Sequence, residues 1–103
     1  MSTETIVFNP DNTVTADGTT VVVPVITLNG TSAEDLYYQR ADAAQGVRDA
    51  IGHLQEAAPH ARDHKDGNTY QAALRLHNSR LSRLESVLKE IEVELAYISK
   101  FVK

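Results

Sequence analysis

The sequence predicts an α+β fold: a short N-terminal β-hairpin or small sheet followed by a long antiparallel two-helix hairpin, assembled as an oligomer. Three observations carry this expectation. Residues 5–28 are rich in Thr and Val and broken by Asn-Pro-Asp-Asn and Asp-Gly, the pattern of short strands joined by tight turns. Residues 70–102 place Tyr70, Leu74, His77, Leu81, Leu84, Leu88, Ile91, Leu95, Ile98 and Val102 at alternating steps of four and three. That 3.5-residue repeat belongs to a helix packed along one narrow seam. With 103 residues in total, the chain suits one small domain, divided into a β segment over 1–30 and a helical hairpin over 31–103.

Within the β segment, Thr5-Ile6-Val7-Phe8 forms a first short run, stopped at Asn9-Pro10-Asp11-Asn12, and Thr13-Val14-Thr15 pairs back on it. Asp17-Gly18 then supplies a two-residue hairpin, because both residues tolerate positive φ. A longer strand follows over Thr19 to Leu28, with Pro24 marking it as an edge strand or a break. Two or three strands are not stable alone and must pack on another element.

The helices supply that element. Thr31 or Ser32 caps the first, over about 32–58, with Glu34 or Asp35 three residues on. Its stripe is weaker: Leu36, Arg40, Ala43, Val47, Ala50, Leu54 and Ala57, with Gly46 and Gly52 lowering its propensity. The segment from Pro59 to Gly67 turns the chain, and the second helix runs over about 68–102, ~50 Å at 1.5 Å per residue. A turn centred near residue 63 sets Arg40 opposite residues 86–88, close to Arg83 and Glu85. It also leaves the second helix about two turns longer, with Leu95, Tyr97, Ile98 and Phe101 in need of cover. Oligomerisation is the economical way for so small a chain to supply it.

Composition narrows the function classes. The chain has no cysteine, which removes disulfide frameworks, thiol catalysis and Cys-ligated zinc. Its net charge of −4 is unevenly spread: residues 1–59 carry −6, residues 60–83 carry +3 with three of the four histidines, and residues 84–103 carry −1. Duplex nucleic acid, which needs many phosphate-neutralising cations, is not an expected partner, and a binder built on the 60–83 stretch is the least favoured reading. A small anionic ligand needs only two or three cations. Residues 1–8 have no basic start or long apolar stretch, and the longest apolar run, Val21 to Ile26, is too short for a membrane span. The expected location is therefore cytoplasmic, with no membrane partner.

Three constellations bear on chemistry. Arg40 and His77 interrupt otherwise apolar stripes; a buried Arg pairs with a Glu or faces an opening that holds an anion, and His77 reads first as a packing residue. His60, Asp63, His64 and Asp66 gather in the turn, but no third ligand has a diagnostic spacing, so neither a metal nor any other cofactor is expected. Tyr37, Tyr38 and Arg40 open the first helix, and Tyr70, Arg80 and Arg83 lie on the second. Rings that stack a base beside guanidinium groups that fork onto a phosphate are the ingredients of a nucleotide site. These six are the candidate ligand-binding residues, against the plainer reading of a solvated helix face. No phosphate loop, nucleophile elbow or metal motif is present, and the chain is expected not to be an enzyme.

Leu28-Asn29-Gly30-Thr31-Ser32 at the strand-to-helix junction and Ala57-Ala58-Pro59-His60-Ala61-Arg62-Asp63 at the turn resemble a pattern of small accessory proteins of tailed phages, over most of residues 25–95. The layout, a short β segment before a long helical hairpin, also resembles the phage anti-Thoeris and anti-CBASS sponge proteins. That likeness implies an oligomer that sequesters a cyclic nucleotide or cyclic ADP-ribose-type immune signal, in the host cytoplasm and without cleaving it. It is a likeness of layout, and it transfers no residue. The alternative is a phage structural, assembly or host-takeover protein that works through protein contacts of the hairpin, with an exposed apolar strip expected around Leu95 to Phe101.

Overall fold

The computed structural model describes residues 6–102; Thr5 of the first expected strand and Lys103 at the end of the hairpin lie outside them. Three antiparallel strands, β1 (Val7–Phe8), β2 (Thr13–Ala16) and β3 (Thr19–Val22), pair in the order β1-β2-β3. Two helices follow, α1 (Ala33–Glu56) and α2 (Gly67–Ile98), with short 3-10 turns at Ala61–Asp63 and Ser99–Phe101. The α+β layout and the helical hairpin are as the sequence predicts. The molecule is elongated, 59 × 28 × 24 Å.

Turn chemistry sets the sheet. Asp17 and Gly18 take φ of 51° and 78°, the left-handed pair that a two-residue hairpin turn requires, and Ala16 faces Thr19 across it. Asn12 is also left-handed, at 62°, and reverses the chain between β1 and β2. Asn9 Nδ2 donates to Thr13 Oγ1 (3.0 Å) and Thr15 Oγ1 (3.1 Å), which ties that turn to the outer face of the sheet. The third strand is shorter than expected. It ends at Val22 instead of reaching Leu28, because Pro24 has no N–H to continue the ladder and β2 begins only at Thr13.

Strand alternation sends Val14 and Ala16 inward, where they form a small core with Val23 and Val93 of α2. Ile6, Val21 and Tyr97 pack against this core. Phe8 and Phe101 both meet the Tyr97 ring, at centroid distances of 5.8 and 5.2 Å, and Lys89 Nζ reaches Asp17 Oδ2 at 3.0 Å at the hairpin tip. The sheet therefore lies along the later part of α2, on a different side from α1.

Both helices start on a side-chain cap. The Asp35 N–H donates to Ser32 Oγ (3.1 Å) and the Thr69 N–H donates to Asp66 Oδ1 (2.8 Å), satisfying donors that a helix start leaves open. The seam of α2 is as predicted: every residue of its stripe is buried or half-buried. The stripe of α1 is corrected. Ala44 and Ile51 line the seam in place of Ala43 and Ala50, and Ala57 is exposed. Ala44 and Ile98 are both at 0% exposure.

The register is the main departure from expectation. Arg40 pairs with Glu94 and Arg48 with Glu92, so Arg40 lies about two turns further along α2 than residues 86–88 and away from Glu85. The connection explains this. Instead of turning at the tip of two level helices, residues 57–66 run back along the start of α2, and Pro59 and His64 come to lie over Ala73 and His77. The overhang of α2 is thus at the turn end, beneath this strap. At the other end α1 is level with the 3-10 turn at Ser99–Phe101 and touches it. Leu95, Tyr97 and Ile98 are consequently covered by their own chain, and no exposed apolar strip runs from Leu95 to Phe101.

Candidate functional site

The six candidate residues divide between the two ends of the hairpin. Tyr37 and Tyr38 meet edge to face, with centroids 5.8 Å apart, at the open end. Tyr37 lines a hollow with Arg48, Glu92 and Leu95. Arg40 is committed locally: its Nε donates to Glu94 Oε1 at 2.7 Å and its Nη1 to Gln39 Oε1 at 3.1 Å. The paired reading of Arg40 holds, with Glu94 as its partner.

Tyr70, Arg80 and Arg83 belong to the turn end, and here the strap creates a distinct environment. Leu54, Arg80, Arg83 and Leu84 line a shallow cleft of about 340 Å3. It adjoins a second cleft of about 320 Å3 beneath the strap, to which Pro59, His64, Leu76 and His77 contribute along with Leu54 and Arg80. Leu54 and Arg80 are common to both, so the two clefts are neighbours. Tyr70 stands behind the strap, its ring 5.8 Å from that of His64. From Tyr70 to Arg83 spans ~20 Å along α2, so one chain does not bring all the aromatic and cationic candidates to one point.

Electrostatics single out the turn end. No carboxylate lines either of its clefts. Among the described residues Arg80 has no carboxylate partner, and Arg83 donates only from Nε to the Ser79 carbonyl, at 3.3 Å. By contrast, the hollow between the β-hairpin tip and α2 is lined by Glu85 and Glu90, and its Lys89 is already bound to Asp17. An anion is favoured in the first environment and opposed in the second.

The altered acidities of Asp11 and Asp66 are structural. The Thr13 hydroxyl holds Asp11 below its ordinary value, and the Thr69 N–H does the same for the capping Asp66. His64 Nδ1 donates to the His60 carbonyl at 2.8 Å, and no group of three His, Asp or Glu side chains among the described residues is placed to hold an ion.

Sequence reasoning did not select His64, His77 or Leu54 as site residues. His77 stood out as a polar residue on an apolar stripe, which was the available signal. His64 stood out only as part of the His and Asp cluster in the turn, and only the path of the strap brings it over α2. Searches against family models, curated proteins and solved structures return no match to this chain. No described helix is long and apolar enough to cross a membrane.

Proposed function

We propose that the protein is a non-enzymatic binding protein that acts as an oligomer and sequesters a small anionic signal of the cyclic nucleotide or cyclic ADP-ribose type, blocking host anti-phage defence. The carrying observation is the cleft in which Arg80 and Arg83 flank Leu54 and Leu84 with no carboxylate in its lining. Unpaired guanidinium groups beside an apolar floor suit a phosphorylated ligand with a flat, weakly polar body. Because Tyr37 and Tyr38 lie at the opposite end of the hairpin, this reading requires a second copy to bring its aromatic pair to the Arg80–Arg83 cleft. Enclosure between copies would withhold the signal with no bond broken.

Native mass spectrometry tests this directly, on the protein alone and with a pool of cyclic dinucleotides, cyclic trinucleotides and cyclic ADP-ribose isomers. The expected result is a defined oligomer retaining one ligand mass per cleft. A clean spectrum that takes up no ligand overturns the reading.

A second reading, a protein-binding module, is favoured by one observation. Val22, Val25 and Leu28 are all strongly exposed along β3 and the segment after it, and an apolar run of that kind at a sheet edge suits a protein partner. If the ligand pool gives nothing, these residues are the place to look for protection by a partner.

A further inference from the structure

We infer that the cleft beneath the strap is a phosphate-binding pocket, in which His77 and Arg80 of α2, with His64 of the strap, hold the phosphate group of a nucleotide-like ligand. The inference names the phosphate end of the ligand class proposed above and rests on that reading only for the remainder of the molecule.

His77 is the starting point. It is 8% exposed, on a seam otherwise built of Leu, Ile, Tyr and Val. The His77 side chain bonds to no described residue. No polar side-chain atom among the described residues is both sealed from solvent and unpartnered, and His77 lines the cleft. A leucine there would continue the seam and offer no polar atom to the cleft. The imidazole is a donor kept in reserve.

Its surroundings define what it would hold. Arg80 follows three residues later, on the same face of α2, and its guanidinium has no carboxylate partner among the described residues. His64 forms the facing wall. Its Nδ1 donates to the His60 carbonyl at 2.8 Å, which orients the ring and leaves Nε2 for a ligand, accepting from a phosphate hydroxyl in the neutral ring and donating to a phosphate oxygen in the imidazolium. Three nitrogen-bearing side chains from two segments thus border one cavity with no acid in its lining. Several acceptor oxygens on one centre, as in phosphate, match several donors better than a single carbonyl does. A metal cation fits poorly, because Arg80 stands beside the two imidazoles and no third ligand is at hand. Arg80 also borders the neighbouring Leu54–Leu84 cleft, an apolar surface suited to the nucleoside attached to that phosphate.

The test is nitrogen-edited NMR of the histidine rings in the full chain, titrated with inorganic phosphate and separately with AMP, against chloride at matched ionic strength. The expected result is a saturable shift of His77 and His64 with His53, on the exposed face of α1, unmoved. AMP should bind about ten-fold more tightly than phosphate, and Arg80→Gln should weaken both about ten-fold while leaving the circular dichroism unchanged. Because Arg80 is exposed, that variant avoids the packing loss a His77 substitution risks. A His77 signal that ignores phosphate and AMP, or follows chloride equally, overturns the pocket. If phosphate and AMP move His77 while no cyclic nucleotide binds, the pocket stands and the sequestration reading falls. If cyclic nucleotides bind with His77 silent, the pocket falls and the sequestration reading stands.

Discussion

Arg40 Nε lies 2.7 Å from Glu94 Oε1, across the seam between α1 and α2, with the two side chains 30% and 20% exposed. This pair joins residues 54 positions apart and marks the register of the whole hairpin. A one-turn slip toward the expected alignment would part the two charges and leave both half-buried, which the fold would resist.

That pair should be measurable as a coupling. Glu94→Gln is expected to destabilise the protein by about 1–2 kcal/mol, between the values for exposed and fully buried pairs. A double-mutant cycle with Arg40→Gln, read by urea denaturation, should return a coupling of about 1 kcal/mol. A coupling near zero would mean that apolar packing alone holds the register.

Asp66 gives a pH dependence of known sign. The Thr69 N–H holds its pKa in the folded state below the ordinary 3.8. Its contribution is therefore complete above the unfolded-state value and is lost as pH falls through the lower folded-state value. Asp66→Ala should melt at a lower temperature than the parent at neutral pH, and the gap should close as the pH drops below about 3.8. A gap that widens toward acid would contradict the cap.

Gly46 sits in the middle of α1, and a Cβ built there meets nothing within 4 Å. Gly46→Ala should therefore stabilise the protein by about 0.5–1 kcal/mol through helix propensity and a less flexible unfolded chain. Thermal melts decide it; a loss of stability would show that the position faces a neighbour.

Val93 joins the sheet to α2 and is 1% exposed. Val93→Ala removes packing from Val14, Ala16 and Val23 together, at an expected cost of about 2 kcal/mol. Hydrogen exchange should quicken most at the β2 amides, with the α1–α2 seam less affected. Uniform acceleration would show that sheet and hairpin open as one unit.

For binding, Arg83→Ala should weaken capture of the cyclic ligand about ten-fold or more, the size of a lost charged hydrogen bond, with no change in melting temperature. Isothermal titration measures it. Undiminished binding would remove Arg83 from the site.

The elements themselves were legible in the residues. Asp17-Gly18 requires a left-handed turn, Thr31 or Ser32 is an acceptor at a helix start, and the four-three spacing from Tyr70 to Val102 allows one seam. Each follows from chemistry within a few residues, so each is determined locally by sequence. The stripe of α1 was harder to read because alanines at 43, 44, 50 and 57 offer several phases of similar apolarity, and only packing against α2 chose Ala44 and Ile51. The clefts could not be read at all. Their position depends on how the strap of residues 57–66 lies on α2, and so on contacts between segments that no periodicity links. Sequence by itself determined the turns between the strands, a cap at the start of the first helix, the long second helix, and an arginine needing either a carboxylate or an anion. Tertiary structure alone decided that the carboxylate is Glu94, that the overhang lies at the turn, and that His64, His77 and Arg80 share one cavity. Local rules act over one or two turns of chain, whereas register is set by the sum of many weak contacts along the full length of the seam.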